Sequence, residues 1–195
     1  MVNVMKVLTK EEANTLLKCV GIEIGNWNQP EYLGETFQKE SVVKYFVPRN
    51  ADQLYSFSYQ LFSFLQESRW LVFQIDNSTS LLTHENFLIS SLFCNYEAHM
   101  DFNIDRTIFF NLQNHNSVNF ENNMVFIHLI YYFLLFEAHG YIIASNSDSN
   151  GIIALQDGCV YFICRDDLRK KSILAFIKNF EKNPLALTYK TTPQN

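Results

Sequence analysis

The chain has 195 residues, 48% of them hydrophobic and 18% charged, a balance that excludes a disordered polypeptide and is enough for one compact domain. Its formal net charge is −5, with 15 Lys and Arg against 20 Asp and Glu, so nucleic acid is repelled on average and is not an expected partner. Aromatic residues reach 15%, with 18 Phe and 10 Tyr, and rings in that number serve core packing first and binding faces second.

In chain order, Met1 to Leu17 holds no long apolar run and no small-residue cleavage site, which predicts no secretory signal and a cytoplasmic location. Thr9 and Glu12 have the spacing of a capping box, with Ala13, Leu16, Leu17 and Val20 following on one face, and this predicts a first amphipathic helix. Gly21 to Gly34 is rich in Gly and Asn and reads as a loop, within which Trp27 and Tyr32 need apolar cover. "SVVKYFV" is a strand ending at Pro48; Asn50 then caps a second helix that carries Leu54, Phe57, Leu61, Phe64 and Leu65 at helical spacing. "RWLVFQID" reads as a buried strand, Thr83 as the cap of a helix over "HENFLISSLFC", and "RTIFF" as a further strand.

From Asn111 to Asn123 the chain is polar and Asn-rich, as expected of a surface loop. "MVFIHLIYYFLLF", Met124 to Phe136, is apolar except for His128. As a helix it would be only about 20 Å long against roughly 30 Å of membrane hydrocarbon, so it reads as the central buried helix of the domain. Gly140 supplies its stop, and His139 lies near its negative end. "YIIASN", "GIIAL" and "CVYFIC", separated by "SDSNG" and "QDG", have the pattern of an antiparallel meander. Asp166 caps a last helix with Ile173, Phe176, Ile177 and Phe180 on its buried side and Asn183-Pro184 at its end. The expected fold is α+β: a single domain over 1–195, with a mixed or mostly antiparallel sheet, a C-terminal meander and about five helices.

Chemistry-bearing patterns are few. Asn146, Asp148, Asn150, Gly151 and Asp157 match the oxygen-ligand spacing of an EF-hand loop, but strand-type runs flank them and Asp157 is one methylene shorter than the clamping Glu, so hairpin turns are expected and not a calcium site. Glu97, His99 and Asp101 alternate and on a strand would share a face, the basis of an alternative reading as a metal-dependent or hydrolytic enzyme with His115 or His139 from elsewhere. A solvated polar loop is the preferred reading, with Asp105 and Arg106 paired at the surface. His128 is expected to be a hydrogen-bonded core histidine. Cys19, Cys94, Cys159 and Cys164 form no CxxC pair and read as buried or inert thiols. With no GxSxG, Walker, dinucleotide or HExxH motif, the expectation is a non-enzyme without cofactor or metal.

"WLVF", Trp70 to Phe73, together with "HLIYYFLLFEAHGYIIASNSDSNGIIALQDGCVYF", His128 to Phe162, resembles the small cytoplasmic immunity proteins that accompany bacterial polymorphic toxins, including type VI, Rhs and contact-dependent effectors. The resemblance covers about half the chain. It implies an inhibitor that occludes the active site of a cognate toxin or blocks a motion the toxin needs, with no membrane or nucleic-acid partner. Tyr96, Asp101, Asp105, Asn114, His115, Asp148 and Asn150 lie in predicted loops or turns and are the contact candidates. An adaptor module would bind a host partner through the same exposed aromatics, and only the partner's identity separates the two.

Overall fold

The computed structural model describes residues 5–25, 29–33, 41–66, 68–76, 79, 81–93, 107–112, 120–145 and 151–185, with backbone only for 120–122. The first elements are strand β1 (Met5–Val7) and helix α1 (Lys10–Lys18). The Thr9 hydroxyl accepts from Glu12 N at 3.2 Å and the Glu12 carboxylate accepts from Thr9 N at 2.9 Å, the capping box that the sequence predicts. The following stretch is not simply a loop. Strands β2 (Ile22–Ile24) and β3 (Pro30–Tyr32) form a small antiparallel hairpin, and Asn14 Oδ1 accepts from Ile24 N at 2.8 Å to hold it against α1. Their brevity hid them: three residues are too few to show a period of two among Gly, Asn and Pro.

Strand β4 (Val42–Phe46) leads into helix α2 (Ala51–Leu65), where Asn50 Oδ1 accepts from the backbone amides of Asp52 and Gln53. Strand β5 (Trp70–Ile75) is followed by helix α3 (Thr83–Ser91). Here Thr83 is the first helical residue and not the cap; the Glu85 carboxylate accepts from Leu82 N at 2.8 Å instead. Strand β6 (Thr107–Asn111) precedes helix α4 (Phe120–Leu135), so Asn111 belongs to a strand and Asn122 and Asn123 to a helix, at the two ends of the expected loop. Strands β7 (Gly140–Ser145), β8 (Gly151–Gln156) and β9 (Cys159–Ile163) form the meander as read, and helix α5 (Asp167–Lys182) is capped by Asp166, which accepts from Arg169 N at 2.7 Å.

Seven strands form one sheet in the order β1-β6-β5-β7-β8-β9-β4, and each of its pairings is antiparallel. Directions alternate across that order, so β4 and β5 run the same way, as do β6 and β7. Each of these pairs needs a crossover, supplied by α2 and α4 respectively. One face presents Leu71, Phe73, Ile142, Ile153, Val160 and Phe162 to α2, α4 and α5. Val72, Ile143 and Ile152, one register step away, point to the other face and pack on Ala13, Leu17 and the β2–β3 hairpin. Strand β5 is thus covered on both sides, which explains the consecutive apolar residues Trp70 to Phe73.

Two turns depend on positive φ. Helix α4 stops through Glu137 in the left-handed region (φ 54°) and not through Gly140. Gly140 opens β7 instead, where an added Cβ would sit 2.9 Å from the Phe133 ring and 3.2 Å from the Gln74 carbonyl oxygen. Asp157 (φ 51°) and Gly158 (φ 68°) give the pair of positive φ values of a two-residue hairpin turn between β8 and β9.

The hairpin's seal on the sheet has a measurable pH signature. Tyr32 is buried, its hydroxyl lies 3.4 Å from the Ile163 carbonyl oxygen it donates to, and burial pushes its pKa up to about 12. Tyr141 is also pushed up, by burial first and by the neighbouring Asp76 charge second. A free tyrosine loses its proton near pH 10, so between about pH 10 and 12 the unfolded chain sheds protons that the folded chain keeps, and stability falls as pH rises. The melting temperature should drop across that window, and Tyr32→Phe should flatten part of the drop; an unchanged profile in the variant would contradict the burial of this hydroxyl.

Candidate functional site

Helix α4 is apolar on almost every side, but it is not buried on every side. Val125, Phe126, Ile127, Leu129, Ile130, Phe133 and Leu134 enter the core, whereas Met124, His128, Tyr131, Tyr132 and Leu135 are half-buried or exposed. These outward positions follow the i, i+4, i+7, i+8, i+11 spacing of one helical stripe. Alongside runs α2, with Ala51, Asp52 and Tyr55 on the facing side. Between the two helices lies an open groove of about 520 Å³ lined by Ala51, Asp52, Tyr55, Ser56, His128, Tyr131, Tyr132 and Leu185. Gln60 Nε2 donates to Asn183 O at 3.2 Å and to Ser56 Oγ at 3.1 Å, which ties the end of α5 to α2 and brings Leu185 to the groove.

The four rings of the groove form a closed circuit. Centroid separations are 5.7 Å for Tyr55–His128, 6.2 Å for His128–Tyr132, 5.5 Å for Tyr132–Tyr131 and 5.9 Å for Tyr131–Tyr55. All four contacts are tilted or edge-on, so the rings meet at angles and do not collapse into a stack. Phe136 buttresses the circuit from outside, parallel to Tyr132 at 5.6 Å. His128 Nδ1 donates to the Met124 carbonyl oxygen at 2.7 Å, which fixes the ring and leaves Nε2 as the acceptor in the neutral imidazole. The predicted hydrogen bond is therefore there, but His128 faces this groove and is not a core residue.

A second polar cluster lies on the far face of the sheet and its adjoining turn. Tyr141 donates to Asp76 Oδ2 at 3.2 Å, Gln29 Nε2 approaches the same oxygen at 3.4 Å, and the buried Thr107 hydroxyl donates to the Gln74 side-chain carbonyl. Thr79 Oγ1 donates to His139 O at 2.6 Å and accepts from His139 N at 3.0 Å, while His139 Nε2 meets Asp157 Oδ1 at 2.9 Å. Arg49 pairs with Glu137 at 2.8 Å. These groups join strand ends and turns to one another, the work of a structural network. Asp157, twelfth in the calcium-like spacing, is one of its members; that spacing contains strand β8 and is flanked by β7 and β9, not by helices.

Among the described residues no group of three or more His, Cys, Asp or Glu could hold a metal ion, and no helix is long and apolar enough to cross a membrane. Cys159 and Cys164 are buried, and burial pushes the Cys164 thiol up, with Lys170 and Arg169 pulling the other way; Cys19 is exposed. The seven contact candidates Tyr96, Asp101, Asp105, Asn114, His115, Asp148 and Asn150 lie outside the described residues, as do Glu97, His99, Arg106, Trp27 and Cys94.

Compared with known proteins, the chain matches no family model, no curated protein and no solved structure. Its candidate site therefore rests on geometry. Sequence reading missed Tyr55, Tyr131 and Tyr132, although a signal was present: polar-tipped rings at 128, 131 and 132 recur at i, i+3 and i+4 inside an otherwise aliphatic and Phe-rich run.

Proposed function

We propose that this chain is a cytoplasmic immunity protein that binds a cognate bacterial toxin and neutralises it by covering its active site or blocking a required motion. The observation that carries the reading is the α2–α4 groove, in which Tyr55, Tyr131, Tyr132 and His128 stand partly open to water around a cavity of about 520 Å³. Tyrosine presents a large, rigid contact area with a polar tip at small entropic cost, and it is enriched at the energetic centres of protein interfaces. The net charge of −5 suits a basic partner. The resemblance of Trp70 to Phe73 and His128 to Phe162 to polymorphic-toxin immunity proteins supports the same reading, and the second of these segments contains three of the four groove rings.

Protection against a few toxin molecules needs tight binding, hence an interface on the order of 1,600 Å² centred on a few buried anchors. The groove would be that centre. The test is co-expression with the product of an adjacent toxin-like reading frame: this chain should restore growth and copurify with that product. Continued killing, with no complex formed, would remove the immunity reading.

A further inference from the structure

The groove has the chemistry of a cation site. Its four rings line one groove, with neighbouring centroids 5.5–6.2 Å apart, so a group seated among them lies within the roughly 6 Å over which an aromatic face attracts a positive charge. Among the described residues its lining contains one carboxylate, Asp52, and no lysine or arginine. The other acceptor is His128 Nε2, since Nδ1 is committed to the Met124 carbonyl oxygen. The positive end of α2, beside Asp52, does not oppose a cation strongly, because Asn50 Oδ1 already takes the Asp52 and Gln53 amides. An anion would meet the Asp52 carboxylate and no lysine or arginine among the described lining residues, and a purely apolar segment would leave Asp52 and the imidazole nitrogen without use.

We propose that the ring circuit of Tyr55, His128, Tyr132 and Tyr131 is a cage for an arginine side chain of the partner polypeptide, with the guanidinium against the tyrosine faces and its N–H groups directed to Asp52 and His128 Nε2. Arginine fits better than lysine because its planar, weakly hydrated head both stacks on rings and donates in several directions. This inference rests on the reading of the groove as the partner-binding site and specifies what enters it.

The test uses the full chain and a small probe, N-acetyl-arginine methylamide, with the citrulline analogue as neutral isostere and the lysine analogue as the other cation. Tyrosine ring resonances followed by NMR should shift saturably with the arginine probe at millimolar concentration, about tenfold more weakly with citrulline, and less with lysine than with arginine. Asp52→Asn, at an exposed position, should weaken the arginine probe several-fold, and Tyr132→Leu, which keeps bulk and removes the π face, about tenfold. Equal shifts with citrulline, no saturable shift, or ring shifts that appear on concentrating the chain alone would overturn the cage, the last by making a second copy the occupant. Loss of the cage with growth rescue intact would leave the immunity reading standing, whereas arginine binding without rescue would remove that reading and keep the cage.

Discussion

Phe57→Ala should lower the stability of the fold by about 3–5 kcal/mol, a drop in melting temperature of roughly 6–20 °C for a chain of this size. Phe57 is fully buried where α2 meets the sheet and α5. Its ring stacks on Tyr45 at 5.6 Å, meets Phe180 edge-on at 5.1 Å and touches Phe176 at 5.8 Å. Truncation removes the ring and leaves a cavity bounded by three other rings, whose rigid planes cannot close it. Phe87→Ala, at a ring 73% exposed on α3, should stay within about 0.5 kcal/mol. Urea denaturation of the two variants checks the contrast. Comparable losses would contradict the assignment of the aromatic excess to this core.

Tyr132→Ala should reduce affinity for the proposed partner toxin by about 2 kcal/mol or more, roughly 30-fold, with only a few degrees lost in melting temperature. The ring is half-buried, touches Tyr131 and His128 in the groove, and is backed by Phe136. A side chain in that setting is held in place before binding, so little further entropy is lost when a partner covers it. Phe46 supplies the comparison. It is 68% exposed on edge strand β4 at the far side of the sheet, with Lys44 above its ring at 4.5 Å, and Phe46→Ala should leave affinity unchanged. Calorimetric titration of both variants decides between them; an effect at Phe46 and none at Tyr132 would move the interface to the other face.

The contrast between these sites explains how the aromatic content divides. Phe57, Phe62, Phe73, Phe110, Phe126, Phe133, Phe162 and Phe180 are buried, whereas Tyr55, Tyr131 and Tyr132 are half-buried at the margin of the core. Composition alone predicts both uses of the rings and cannot say which residue serves which. Local signals did better where the physics is local. The Thr9–Glu12 box, the Asn50 and Asp166 caps, the Asp157-Gly158 turn and the buried face of α5 were legible because a short-range hydrogen bond or a repeated spacing writes them into neighbouring residues.

What escaped the sequence depends on distant residues. The apolar run of α4 reads as buried on all sides, and only the position of α2 beside it shows that one stripe stays open. Gly140 looks like a helix stop because Gly commonly ends helices, yet its constraint comes from the Phe133 ring and the Gln74 carbonyl across the sheet. The antiparallel sheet was legible in the meander, while the two crossovers that set its strand order link strands that are not neighbours in space. The site shows the same limit, since one groove ring comes from α2 and three from α4, separated by more than seventy positions in the chain.

Hydroxyl-radical footprinting of the tyrosine side chains, with and without the proposed partner toxin, tests the central claim most directly. In the free chain Tyr55, Tyr131 and Tyr132 should be oxidised, and in the complex all three should be protected while the half-buried Tyr161 on the opposite face of the sheet reacts as before. Protection at Tyr161 with the groove tyrosines still reactive would contradict it.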